Sequence, residues 1–594
     1  MKKISKMALL AVAGMISLPQ AFAQEAEEET FATEESEYTA DFGDDFGGGF
    51  DDFGSDDSAP TYYINAETGV DMRGYIGTYD GSAFNSGYET KSQAEVFDSL
   101  TDASAYANMT LGYSAQNSEM EFKLKFDGNS LGDYNQDILD EATARLFLGN
   151  WVIEGGKMKV VWGKGDKLHV LDNFNANDYT DFIFGGDYID RRLAEPMLRV
   201  KYNVPNTNWS VEGVYTPMMT ADRFASSGVW APAAQKTLTE TVTGIVKHNA
   251  ALSLKTSMSG GKYDEIVDGL QDMSSFSSDD LYEEKIEALR YSQGGIRILG
   301  TVGSVDLGAS YYYGHYKQPS ANLEPYITSL KTGITNAAKT YAASTEFATK
   351  YGAQVASIAT NKYGPAIAAG KMTAAQAQQA AAAEIVAANA QEWYEDGTIT
   401  VTDKFEMPVL GYDLKQTFGL EAAFVVWKFN TRWEVAYNLT KDTAGDNPWV
   451  HNNSVEWLAG FDVNLPIHNM NLNVQETGKY ILNNDKIEDG AYKVYDVDYN
   501  SDGKYINNRV VMNLSDNFLY ENLKPEVTVI WGIENNEWCV QPKVNYKVAD
   551  GMNLGVSGGV LYCYNENGEF YNFTADSTKW HTKSFVQASV RYEF

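Results

Sequence analysis

Catalysis needs a nucleophile with its base, an acid–base pair or a set of metal ligands gathered in one place. The residues that could supply these are sparse here. Histidines stand at positions 169, 248, 315, 451, 468 and 581, dispersed along 594 residues and outside any Gly-x-Ser-x-Gly or His-Glu-x-x-His pattern. His169 and His315 could meet at an outer rim as an acid–base pair, although ordinary polar loop residues are the plainer reading. The histidines, the two cysteines and the carboxylates also miss the spacing of a zinc site. No catalytic residue, metal or cofactor is expected, and the chain does not read as an enzyme.

One segment has the composition of a selective surface. Gly163 to Asp178 carries Lys164, Asp166, Lys167, His169, Asp172 and Asp178 among apolar Leu168, Val170, Leu171 and Phe174, directly after Trp162. Folded into a lumen, Trp162, Lys164, Asp166, Leu168, His169, Phe174 and Asp178 would form a constriction, the apolar members touching cargo and the charged ones facing the wall. A self-packed external loop is the competing reading. Lys157, Lys159, Arg191, Arg192, Arg199 and Lys201 cluster beside it. Pairing to carboxylates on neighbouring strands explains them better than an anion-attracting stripe. Cys539 and Cys563 each lie 12 positions from Gly551, so a hairpin centred there would set them opposite one another as a candidate disulfide.

The elements that must carry these residues are strands. Period-2 alternation sets Met120, Phe122, Leu124 and Phe126 against Glu119, Glu121, Lys123 and Lys125. The same pattern sets Trp433, Val435 and Tyr437 against Arg432, Glu434 and Asn438, and recurs at Leu523–Ile533 and Val586–Phe594. Short links such as Trp427-Lys428 alternate with long ones such as 164–195 and 483–504, and aromatic residues gather at strand ends. With 38 Tyr, 12 Trp and 51 Gly, the fold class is all-β: a transmembrane antiparallel barrel of about 18 strands, within 16 to 20. No later stretch has the roughly 18 apolar residues of a membrane-spanning helix.

Residues 1–23 read as a secretory signal, with Lys2, Lys3 and Lys6 before an apolar run and Ala21-Phe22-Ala23 as the cleavage site. Residues 24–60 read as a disordered acidic leader, with 14 acidic residues and no Lys or Arg between Glu25 and Asp57. The barrel then occupies 61–594, interrupted at about 325–397 by an Ala-rich insert in an extracellular loop. Two helices are expected there, with Thr373 to Gln376 as a capping box. A second excursion, about 218–287, is expected to be external, with a short hairpin at Ala250 to Met258. Both barrel termini would be periplasmic, and Phe594 would close a terminal strand of the kind that barrel-assembly machinery reads. The formal charge of −35 argues against nucleic acid, which needs a basic patch.

The segment from Ala142 to Phe182 resembles an uncharacterised family of outer-membrane β-barrel proteins, through Gly156, Val161, Trp162, Gly163, Asp166, Leu168, Asn175 and Asp178. That family is distantly similar to long-chain fatty-acid transporters. The resemblance continues in Tyr291–Pro319 and Leu410–Asn438, while Asn175-Ala176 departs from the family's usual Asn-Pro. It implies outer-membrane lipids as surroundings and small, hydrophobic, fatty-acid-like cargo. The polar lumenal alternation points instead to a polar-solute porin, and the long external segments to a surface adhesin or structural barrel.

Overall fold

The structure, a computed structural model, describes residues 60–75, 101–131, 138–166, 168–180, 191–225, 232–257, 286, 288–563, 565, 567–568, 570 and 584–594. The export signal, the acidic leader up to residue 59, and His581 lie outside the described residues.

Alternating side chains resolve into eighteen strands. The first nine are β1 (Thr61–Tyr75), β2 (Thr101–Ala115), β3 (Ser118–Phe126), β4 (Leu139–Leu148), β5 (Trp151–Met158), β6 (Glu195–Asn203), β7 (Trp209–Thr216), β8 (Gln293–Val302) and β9 (Val305–His315). The rest are β10 (Leu414–Val426), β11 (Phe429–Leu439), β12 (Ser454–Asn464), β13 (Asn471–Ile481), β14 (Ile506–Ser515), β15 (Leu523–Gly532), β16 (Glu537–Ala549), β17 (Met552–Tyr562) and β18 (Phe585–Glu593). Each pairs antiparallel with its sequence neighbours, and β18 returns to β1 with Glu593 opposite Glu67 and Phe585 opposite Tyr75. Closure leaves the barrel without an open edge.

The polarity of the wall is inverted relative to a water-soluble protein. On β11, Trp433 and Val435 are each 47% exposed, whereas Glu434, Ala436 and Asn438 between and beyond them are at most 1% exposed. Met120, Phe122, Val540, Val544, Val586 and Val590 face outward in the same way. An apolar side chain of this size left in water forgoes roughly 1.5–3 kcal/mol. A surface built from many of them is stable only in hydrocarbon, where closed pairing also satisfies every strand's backbone. The architecture is therefore that of an outer-membrane β-barrel. Partly exposed Trp151 and Trp209 lie toward the end of the short turns, and stacked Trp531 and Trp538, 5.0 Å apart, toward the end of the long loops. Such rings suit the two membrane interfaces. β1 starts, and β18 finishes, at the short-turn end.

A separate helical unit comprises 237–283 and 321–411. Its helices are α1 (Ala233–Ser257, mostly within the unit), α2 (Glu324–Ala342), α3 (Thr345–Asn361), the short α4 (Gly364–Ala368) and α5 (Ala374–Glu395). The insert thus has three long helices and a short one where two were expected, because Ser344 caps a second start directly after α2. Residues 250–257 continue α1 and form no hairpin. The capping box at Thr373 and Gln376 is present. Buried Ala359, Ala377 and Ala381 form one core cluster, and Tyr341, Phe347 and Trp393 pack ring against ring at 5.2 to 5.9 Å. Among the described residues no helix is long and apolar enough to cross a membrane.

Candidate lumenal site

The connection from β5 to β6 runs inside the barrel. It leaves β5 on a polar brace: Asn175 Oδ1 accepts the Val160 amide at 2.8 Å, and its Nδ2 donates to the Met158 and Leu193 carbonyls. Trp162 Nε1 then donates to Glu212 on β7 at 2.7 Å, and that carboxylate also takes Arg199 at 2.8 Å. On the far wall, Glu434 of β11 accepts the backbone amides of Lys164, Gly165 and Val170 at 2.5 to 2.8 Å. Gln475 of β13 accepts the Leu168 amide at 2.9 Å, while Arg432 and Asn473 hold Asp166 at 2.8 and 2.7 Å. The loop is thereby tied to lumenal faces on several strands.

Its apolar residues secure it. Leu168, Val170 and Leu171 pack with Ala436, Leu458, Val511 and Ile530 from the wall, and Phe174 meets Trp162 and Tyr312 edge-on at 4.9 and 5.1 Å. Leu168 and Phe174 are fully buried. This corrects the expected division of labour. Leu168, Leu171 and Phe174 face protein, because a backbone crossing a wet space gains its fixed position by removing apolar area from water at roughly 25 cal/mol per Å². The acidic members do face partners: Asp172 meets Arg192 at 2.7 Å and Asp178 meets Arg223 at 3.1 Å. His169, buried, lies 3.7 Å from Glu434, while His315 packs on Tyr291 at 4.8 Å. Gly163 adopts φ +124°, and a side chain there would run into Glu434. The basic cluster is largely paired, with Lys159 on Asp140 and Arg199 on Glu212.

Beside the loop is a partly open chamber of ≈ 60 Å³ whose lining residues are mostly polar. Val170, Asp172, Asn173, Asn175 and Asn177 line it from the loop; Lys317, Lys415, Lys479, Arg509, Asp222 and Glu456 supply its remaining formal charges. Lys415 donates to Asn173 at 2.6 Å, Lys317 to Gln293 at 2.8 Å, and Asp222 accepts the Asn177 amide at 2.8 Å. Burial pushes the Asp222 carboxyl up to about 6 and pushes Lys317 down. Sequence reading assigned no role to Glu434, Gln475, Lys479 or Glu456, whose partners are remote in the chain.

The candidate disulfide does not form. Cys539 and Cys563 are buried thiols, and Cys539 is paired in register with Leu561. A register break between Lys547 and Ala549, together with a turn at Asp550-Gly551, offsets the two strands from the symmetrical arrangement that spacing suggested. Cys563 lies instead 3.5 Å from Glu537. Among the described residues no group of His, Cys, Asp and Glu is arranged to hold a metal.

No family model matches the chain, and no curated protein matches it. Solved structures do. OpdO of Pseudomonas aeruginosa is similar at 9% identity and TM-score 0.38, over 90% of this chain and 96% of that one. OccK11 (OpdR) of the same organism is similar at 8% and 0.37, over 90% and 96%. A BenF-like porin from Pseudomonas fluorescens Pf-5 is similar at 8% and 0.36, over 90% and 98%. Scores this low say nothing about cargo, and the barrel is established by its own strand pairing.

Proposed function

We propose that the protein is a passive outer-membrane channel for small polar solutes, narrowed by the loop Gly163 to Asp178. The observation that carries this reading is the chemistry of the free lumenal surface. The chamber is lined mainly by Asn, Lys, Arg, Asp and Glu, with Val170 its one large aliphatic side chain among the described residues, while Leu168, Leu171 and Phe174 are turned into the protein. A fatty-acid path would need apolar walls, and the apolar residues near the loop are spent on holding it. Export by residues 1–23 and assembly through β18 and the Phe594 that follows it belong to the same proposal.

Liposome swelling tests it. Purified protein should admit small sugars and leave long-chain fatty-acid uptake at the protein-free rate; fatty-acid uptake without sugar permeation would reverse the choice. Removing residues 164–173 should raise single-channel conductance, and an unchanged conductance would eliminate the constriction.

A further inference from the structure

Two opposite charges in the chamber wall fail to close on each other. Glu456 on β12 and Lys479 on β13 are direct cross-strand partners, and both line the chamber. Residues so placed have Cβ atoms roughly 4.5–5.5 Å apart, and opposite charges there ordinarily join. Among the described residues these two make no ion pair with each other: Glu456 accepts one hydrogen bond, from Asn438 Nδ2 at 2.9 Å, and Lys479 makes no hydrogen bond or close ion pair, feeling the more distant charge of Asp498. Their neighbours are engaged. Arg192 holds Asp172, and Lys317 lies 3.3 Å from Glu195. An ammonium and a carboxylate therefore stand side by side, each with bonding capacity turned toward open space.

We propose that this pair is the subsite for a zwitterionic solute of amino-acid type, whose carboxylate is received by Lys479 and whose ammonium is received by Glu456. The near balance of charge around the chamber supports the choice. Lys317, Lys415, Lys479 and Arg509 stand against Asp172, Asp222 and Glu456, a lining that repels polyanions and polycations alike. Charge-assisted hydrogen bonds at both ends of one small molecule fix its orientation as well as its affinity. The inference rests on the channel reading only for its physiological use, since binding can be measured without transport.

The test is a saturation-transfer NMR titration of the full-length protein in detergent with L-alanine, propionate and propylamine, which share a short alkyl chain. Alanine should bind most tightly. Lys479→Met should weaken both alanine and propionate by about tenfold or more, and Glu456→Gln should weaken alanine by a similar factor and spare propionate. Lys479→Arg should restore alanine binding, which a merely structural role would not require, and Lys441→Met, at an exposed lysine outside the chamber lining, should change nothing. Propionate binding as tightly as alanine, or Glu456→Gln leaving alanine unaffected, would overturn the subsite. Swelling of liposomes without alanine binding would likewise refute the subsite and keep the channel. Alanine binding without swelling would keep the subsite and refute the channel.

Discussion

At the scale of single residues, Glu434 does what no neighbouring residue can. It is a buried carboxylate that spends its acceptor capacity on three amides of a loop more than 260 positions earlier in the chain. Hydrogen bonds to a charged group contribute about 1.5–3 kcal/mol each. Glu434→Ala should therefore raise hydrogen exchange at the Val170 amide by roughly 100-fold or more while leaving barrel melting in place, and equal protection in the two proteins would rule out the anchoring role. Nothing in the sequence around Glu434 announces this, because alternation says which face it occupies and is silent about what arrives there. A second residue-scale prediction concerns His451, whose Nδ1 lies 3.1 Å from Asp498 in the adjoining loop. Burial pushes the imidazole down, but the Asp498 charge and hydrogen bond, with Asp413 beside them, hold it above 6.5. Burial pushes Asp498 up, and His451 outweighs that and holds it below 3.8. Tyr316 meets the ring at a tilt, 4.5 Å between centroids, Asp496 accepts the Asp498 amide, and Lys479 opposes the imidazole's charge. The imidazole contributes fully below its ordinary 6.5 and is lost as pH rises through its folded value; the carboxyl contributes above 3.8 and is lost as pH falls through its own. The tie should thus hold in mildly acid solution and loosen on the alkaline side. The Asn452 amide, which donates to Asp498 at 2.7 Å, should lose protection as pH rises above 6.5 beyond the intrinsic rise in exchange. His451→Gln should abolish that loss, and its persistence in the variant would exclude His451 as the cause.

At the scale of elements, legibility divided by how local the cause was. Strands such as β3, β11 and β18 were readable because a wall with lipid on one side and polar groups on the other writes alternation into consecutive residues. The cap at Thr373 was readable because donor and acceptor are three residues apart. The extra helix was not, since the second start depends on Ser344 within one continuous Ala-rich stretch. The cysteine pairing was misread because a one-residue irregularity near Val548 leaves no mark on composition, yet displaces everything beyond it. Inside the helical unit, α3 and α5 meet through small side chains, so added volume has nowhere to go. Ala381→Leu should cost about 1–3 kcal/mol. The expected readout is earlier cleavage within 345–395 during limited proteolysis of the whole protein, and cleavage at the wild-type rate would mean the contact is looser than drawn.

For the whole molecule, the inverted wall predicts an asymmetry between adjacent positions. Val435→Arg on the outward face should cost roughly 2–4 kcal/mol near the bilayer midplane. Urea titration of protein refolded into vesicles should detect it, whereas the same change in detergent should matter far less, and equal losses in both media would contradict the lipid-facing assignment. The barrel's seam carries a further consequence. Arg591 reaches Glu67 across it at 2.5 Å, and the Ala66 amide donates to the Phe594 carbonyl at 3.0 Å. The wall is therefore finished by residues made more than 500 positions apart. A ribosome must add more than 500 residues after the opening strand before that strand finds its last neighbour, and every stop short of β18 leaves two raw margins that solicit foreign strands. Synthesis of this protein is in that sense all-or-nothing, with its hazard concentrated in the interval between the first hairpin and the final residue.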